Sequence, residues 1–354
     1  MSQAPTKETS TATVLDIDAA VESILSVIDQ EREREIVTRR FGLYDRKETL
    51  EQIGELLGIT RERVRQLEKA ILIRLKIAGE EGKVPAIQSI EKEIIRHLTE
   101  MGRLATVNDL TDAILGDKAT PLTRARVAFA ATLAPRLTVV DENDNYRASV
   151  SIAENGDEKK VREQVDAVVA AVKKHGEPAT IEQLHGELSF DHPSHVRALA
   201  SVSKHLSNLK DMWGLNKWPT VNPKNIRDKI YVILAENGKP MHFSEIADSI
   251  KDSNFSRKNV TTQAIHNELI KDKRFVLIGR GIYALDSWGY SKGTVADTIA
   301  DILRESNEPL HRDEIVKRVL KSRQVKETTI LLNLQSKPQF KRVAKATYSL
   351  VEDK

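Results

Sequence analysis

Apolar residues recur at helical spacing along most of the chain, and one stretch is regular enough to predict its architecture in detail. Thr49 with Gln52 three residues on predicts a capping box, and Leu50, Ile53, Gly54 and Leu57 fall at i, i+3, i+4 and i+7, the buried stripe of a short helix. Gly58 ends that helix, and Ile59 and Thr60 fill a tight turn with Thr60 as the N-cap of a second helix. Val64, Leu67, Ile71 and Leu75 mark the inner face of that second helix. At about 100° per residue, Arg61, Glu62, Arg65 and Gln66 cover about 140° on the side away from that face. The pattern predicts a helix-turn-helix whose second helix offers polar side chains at its N-terminal end.

Downstream the chain repeats itself weakly. When Leu104, Pro178, Pro240 and Pro309 are aligned, Thr106, Thr180, His242 and His311 fall two residues on. Asp109, Gln183, Glu245 and Glu314 fall five on, and apolar residues six and ten on. This is the signature of a capped helix start, repeated four times. An apolar-periodic helix precedes each anchor, for example Ile87, Ile90, Ile94 and Leu98. Three repeats also end in strand-like hairpins: Leu137 to Val140 returning at Tyr146, Phe275 to Ile278 returning at Ile282 to Leu285, and Phe340 to Val343 returning at Tyr348 to Leu350.

Helix, helix, helix, hairpin is the order of a winged helix. The expected fold is therefore mainly α: a helix-turn-helix domain at 14–79, then tandem winged-helix units with small β-hairpin wings at 86–150, 160–222, 223–287 and 293–352. Residues 1–13 are expected to be a disordered polar leader.

A length of 354 residues suits several small modules, and 40% hydrophobic with 30% charged residues is enough apolar material to fold them. The absence of cysteine excludes a disulfide scaffold, thiolate metal sites and a cysteine nucleophile. No apolar run approaches a membrane span and the first residues lack a signal-peptide pattern, so a cytoplasmic protein with no membrane partner is expected. The net charge of +3 is unevenly distributed: −4 over residues 1–30, +3 over 31–76, −3 over 77–223 and +7 over 224–354. Two basic blocks separated by acidic ones suggest nucleic-acid contact more strongly than the total does.

The side chains on the polar face suit base recognition. Arg can bond guanine twice, Gln can pair with adenine and Glu can accept from cytosine, which makes Arg61, Glu62, Arg65 and Gln66 candidates for base contact. Thr60, Arg63, Lys69 and Arg74 are candidates for the DNA backbone. The run Glu31-Arg-Glu-Arg-Glu35, Arg40-Phe41-Gly42-Leu43, Thr49 to Gly54 and Thr60-Arg-Glu-Arg-Val-Arg-Gln-Leu-Glu68 resembles region 4 of the sigma-70 family of bacterial sigma factors. That resemblance implies that Arg61, Glu62, Arg65 and Gln66 read the promoter minus-35 element. It also implies that the upstream helix around Ile36, Val37 and Phe41 helps dock on the beta flap of core RNA polymerase. No aromatic residue precedes the match, so the chain is not expected to open promoters alone.

The third repeat resembles the HARE winged-helix family, which includes the N-terminal domain of the RNA polymerase delta subunit. The motifs are Asn237-Gly238-Lys239-Pro240-Met241-His242-Phe243-Ser244-Glu245 and Arg274 to Leu285. The fourth repeat looks like a diverged copy. Secondary nucleic-acid contacts are expected from Thr261, Thr262, Asn267 and Lys271 on the third unit's last helix and from Arg280 at its hairpin tip. Trp213 and Trp218 are expected to be packing residues.

Enzyme chemistry finds little support. His242 and His311 share a repeat position filled elsewhere by Thr, which points to a helix-start role, and neither HExxH nor a phosphate-binding GxxxxGK loop is present. A non-enzymatic protein without metal, cofactor or small-molecule substrate is expected. Its expected partners are double-stranded promoter DNA and core RNA polymerase, with the chain acting as a transcription factor or sigma-like accessory subunit. Two other readings stand beside it: a delta-like polymerase subunit acting by protein contacts, and the DNA-recognition subunit of a restriction or modification system.

Overall fold

The computed structural model describes residues 16–253, 255, 259–290, 293–323 and 325–351, so the expected leader at 1–13 lies outside the described residues. The chain divides into two compact units, one running to Asn216 and the other beginning at Lys217.

The first unit opens with four helices: α1 (Ile17–Ser26), α2 (Glu31–Phe41), α3 (Leu50–Leu57) and α4 (Arg61–Glu80). Thr49 and Gln52 form the capping box of α3, Gly58 closes it in the left-handed conformation, and Thr60 caps α4 by accepting from the Arg63 N–H. Short helices such as α2 and α3 are marginal alone and are held by their apolar faces. Ile36, Ile53 and Val64 meet at the centre of α2, α3 and α4, fully buried, with Leu50, Leu57, Ile59 and Leu67 packed around them. Burial of each such side chain contributes roughly 1.5–3 kcal/mol.

Gly54 is set by the turn: a Cβ there would lie 2.7 Å from the Ile59 carbonyl oxygen, so only glycine lets α3 approach the turn this closely.

Next come α5 (Pro85–Glu100), β1 (Leu104–Thr106), α6 (Val107–Leu115), α7 (Pro121–Leu133), β2 (Leu137–Val140) and β3 (Ser149–Ile152). The sheet order is β1-β3-β2, all antiparallel. The return strand thus starts at Ser149 and not at Tyr146. Tyr146 is instead buried, bridges Ser203 of the next repeat and donates its hydroxyl to Asp166 at 2.7 Å. The break expected between 79 and 86 does not separate two cores. Residues of α1, α2, α4, α5, α6, α7, β2 and β3 belong to one apolar cluster, in which Phe41 and Phe129 pack with ring centroids 4.9 Å apart.

The second repeat holds α8 (Glu158–His175), α9 (Ile181–Gly186), α10 (Pro193–Val202), β4 (Leu206–Leu209) and β5 (Met212–Leu215). The β4–β5 hairpin is an element the periodicity did not reveal. Its turn residues Lys210 and Asp211 adopt φ of 50° and 62° without the glycine that ordinarily announces such a turn. Trp213 is buried on β5 and pairs with Ala179.

The second compact unit contains two further repeats. One consists of α11 (Ile226–Asn237), β6 (Met241–His242), α12 (Phe243–Asp252), α13 (Thr262–Lys271), β7 (Phe275–Gly279) and β8 (Ile282–Leu285), with sheet order β6-β8-β7. The other consists of α14 (Val295–Ser306), β9 (Leu310–His311), α15 (Arg312–Ser322), α16 (Glu327–Ser336), β10 (Phe340–Ala344) and β11 (Thr347–Leu350), with β11 between β9 and β10. In all four repeats the aligned position caps the next helix: Thr106, Thr180, His242 and His311 each accept a backbone N–H there. The two histidines therefore serve as caps with ring nitrogen in place of hydroxyl oxygen.

Candidate nucleic-acid interface

The N-terminal turns of α4 carry the strongest concentration of recognition chemistry. Arg61, Glu62, Arg63, Arg65, Gln66 and Lys69 lie on its open side, while Val64, Ile71 and Leu75 on the opposite face are buried. The polar face is organised by a short network. Arg65 donates from Nε and Nη2 to the two oxygens of Glu62 at 2.8 and 2.7 Å, a bidentate pair one helical turn apart. Gln66 donates to Glu62 at 3.3 Å, and Arg63 reaches Gln66 at 3.5 Å. The Arg65 hydrogen bonds hold the Glu62 carboxyl down at about 2, well below the ordinary carboxylate range. The pair leaves Nη1 and one hydrogen of Nη2 free to donate outward, so Arg65 is braced and still able to offer two parallel donors.

Thr60 uses its hydroxyl oxygen as the helix cap at 3.2 Å and sits beside Arg61 at the tip. Lys69 carries no ion pair among the described residues, whereas Arg74 is engaged by Glu33 of α2. Arg74 thus ties α2 to α4, a role that its spacing on the helix did not suggest. Other cations of this basic block are spent inside the fold. Arg32 donates to the Leu57 carbonyl at 2.6 Å, Arg34 to the Ile28 carbonyl at 2.7 Å, Arg39 pairs with Glu35 and Glu48, and Arg40 pairs with Glu68. Sequence reasoning passed over Arg46 and Lys47, two adjacent cations in the turn before α3 that form no ion pair among the described residues; adjacency in a polar turn was their signal.

The residues expected to dock on polymerase require correction. Ile36 and Val37 are fully buried, Ile36 in the centre of the helix-turn-helix and Val37 in the larger shared cluster. Phe41 is packed on Phe129 of α7. Nearby, Arg126 of α7 donates to the Leu43 carbonyl at 3.0 Å and pairs with Asp18 of α1, and Tyr44 donates to Glu22 of α1 at 2.7 Å. This face of α2 is covered by the chain itself, because apolar residues at helical spacing look the same whether their partner is internal or external.

In the third repeat, Thr261 caps α13 by accepting from the Ala264 N–H, Thr262 is half-buried, Asn267 accepts from Gln263 at 3.1 Å, and Lys271 and Arg280 are exposed. These five lie in the second compact unit, whereas α4 lies in the first. Among the described residues no group of three or more His, Asp or Glu is placed to hold a metal ion, and no helix is long and apolar enough to cross a membrane.

Comparison with known proteins meets the chain at this site. The family model for Sigma-70, region 4 matches residues 30–76, which contain α2, α3 and most of α4. RNA polymerase sigma factor RpoD of Helicobacter pylori is 44% identical over 63 residues, 17% of this chain and 9% of that protein. RNA polymerase sigma factor SigA1 of Synechococcus elongatus is 43% identical over 77 residues, 22% of this chain and 17% of its own length. RNA polymerase sigma factor RpoS of Coxiella burnetii is 44% identical over 63 residues, 18% of each chain. The chain therefore spans less than a fifth of the length of these relatives. Over residues 30–76 it is similar to Sigma-70, region 4, and the match extends only over that part.

Proposed function

We propose that this protein binds promoter DNA in a sequence-specific manner at minus-35 regions and works with RNA polymerase, as a transcription factor or sigma-like accessory subunit. One observation carries the reading: Arg61, Glu62, Arg65 and Gln66 stand at the open start of α4, with Arg65 braced by Glu62, inside the segment similar to sigma factors. A helix end of this kind enters the major groove with its first residues against base edges, while Thr60, Arg63 and Lys69 meet phosphates. Its role is non-enzymatic: purified protein is expected to leave DNA uncut and unmodified. In Arg65→Ala, preference for the cognate over a scrambled duplex should fall by about five- to a hundredfold; unchanged preference in a competition assay would remove direct readout by this helix.

Burial of Ile36 and Val37 moves any polymerase contact off those residues. A second reading, a delta-like subunit acting by protein contacts, draws on the third repeat. There Ile270 of α13 is 64% exposed and Leu277 of β7 is 46% exposed, apolar surface better suited to protein than to phosphate. Footprinting with and without core polymerase separates the two: protection of a minus-35 site by the protein alone supports the first, and protection only with polymerase supports the second.

A further inference from the structure

The four repeats share a topology, yet their hairpins differ in what surrounds them. In the first repeat the β2–β3 loop carries Asp141, Glu142 and Asp144, and it is clipped to the second repeat by the Glu142–Lys204 pair at 2.7 Å and by Asn145 with His205 at 3.0 Å. The second hairpin turns on one Lys and one Asp, and Asp211 pairs with Arg197. In the third, Val276 and Ile278 of β7 are buried, and the Leu277 carbonyl accepts from the buried Arg323 at 3.1 Å. That leaves Arg280 as the tip's single cation.

The fourth hairpin is different. Phe340 is buried, but Lys341, Arg342, Val343, Ala344 and Lys345 are all exposed. None of the three cations forms an ion pair among the described residues, and no Asp or Glu occurs between Glu327 and Glu352. Lys337 at the end of α16 adds a fourth exposed cation with no ion pair among the described residues. Successive strand residues point to opposite faces, so Lys341 and Arg342 place positive charge on both sides of β10, the edge strand of the three-stranded sheet in which β11 pairs with β9 beside the tip. The strand bulges after Arg342, where Arg342 Nε donates to the Ala344 carbonyl at 3.2 Å.

We propose that this β10–β11 wing grips the phosphate backbone of double-stranded DNA through Lys341, Arg342 and Lys345, without reading sequence. An edge strand with exposed cations on both faces matches a groove walled by two phosphate rows, whereas an acidic protein surface would meet one face only. The inference deepens the reading of the chain as a DNA binder by giving it a second contact in the other compact unit, which supplies affinity while α4 supplies preference.

The test uses the full chain with Lys341, Arg342 and Lys345 all changed to Ala, and Arg304→Ala as a control for removing an exposed cation that already has a partner, Asp301. Binding to a long duplex of random sequence is measured over a series of salt concentrations, with unchanged circular dichroism and melting as the check on folding. The triple variant should bind about tenfold or more weakly at low salt. The slope of log K against log salt should fall by about 2 to 3, at roughly 0.9 for each phosphate no longer neutralised. The control should move neither.

An unchanged slope overturns the proposal, as does a loss confined to core polymerase or to single-stranded RNA. If the triple variant weakens binding equally on cognate and random duplexes while Arg65→Ala leaves preference intact, the wing stands and the α4 reading falls. If Arg65→Ala abolishes preference while the triple variant binds like wild type, the reverse holds.

Discussion

Arg65 and Glu62 show how one carboxylate can set the geometry of a residue proposed to read DNA. Glu62 lies one turn before Arg65 and takes two of its hydrogen bonds, which fixes the guanidinium plane; under the proposed function this lowers the entropy cost of binding DNA. Glu62→Gln should therefore lower sequence preference severalfold, less than Arg65→Ala does, in the same competition assay. The acid sensitivity of the pair has a definite sign. The Glu62 carboxyl is held at about 2, below its ordinary 4.5, so its contribution is present above about 4.5 and is lost as pH falls toward 2. Preference measured between about pH 5 and 8 should consequently show no titration from this pair; a midpoint inside that window would contradict the brace. These residues were legible in the sequence because cap, spacing and residue type act within a few positions of each other. Ile36, Val37 and Phe41 were read only as far as their apolar character, since nothing in their own helix says which body covers them.

At the scale of elements, the turn between α3 and α4 depends on Gly54. Gly54→Ala places a methyl group 2.7 Å from the Ile59 carbonyl, and the forced separation should cost about 1–3 kcal/mol, read as a lower melting temperature. The repeat frame was visible because each unit starts a helix with the same cap at the same offset, and a cap is a local hydrogen bond. The hairpins were harder to see. β4–β5 turns on Lys210 and Asp211 with positive φ, and the β2–β3 return is displaced to Ser149 because Tyr146 is recruited by the next repeat. In both cases neither position carries the residue type that would have announced the turn or the strand start.

Across the whole molecule, the segment similar to region 4 does not stand apart from the first repeat. Phe129 of α7 is fully buried against Phe41 of α2, so Phe129→Ala should cost about 3–5 kcal/mol. It should also speed amide exchange in α2 and α4 together with α5 to α7, because all draw on one core. Faster exchange confined to α5–α7 would show that the cores are separable after all. The net charge of +3 likewise conceals a division of labour. In the basic block at 31–76 much of the charge is consumed by internal pairs, while the fourth wing keeps its cations out of ion pairs among the described residues. Near-neighbour patterns along the chain were enough to establish where helices start, which face of α4 is polar and how often the repeat recurs. Those features rest on hydrogen bonding and periodicity within a few positions. Folding in three dimensions settled that α4 and α7 pack on α2, that one core joins the segment similar to region 4 to the first repeat, and which hairpin keeps its cations exposed. The packing around α2 depends on contacts such as Phe41 with Phe129, and just beyond the helix Arg126 with Leu43, between residues far apart in the chain, where no local pattern records the partner.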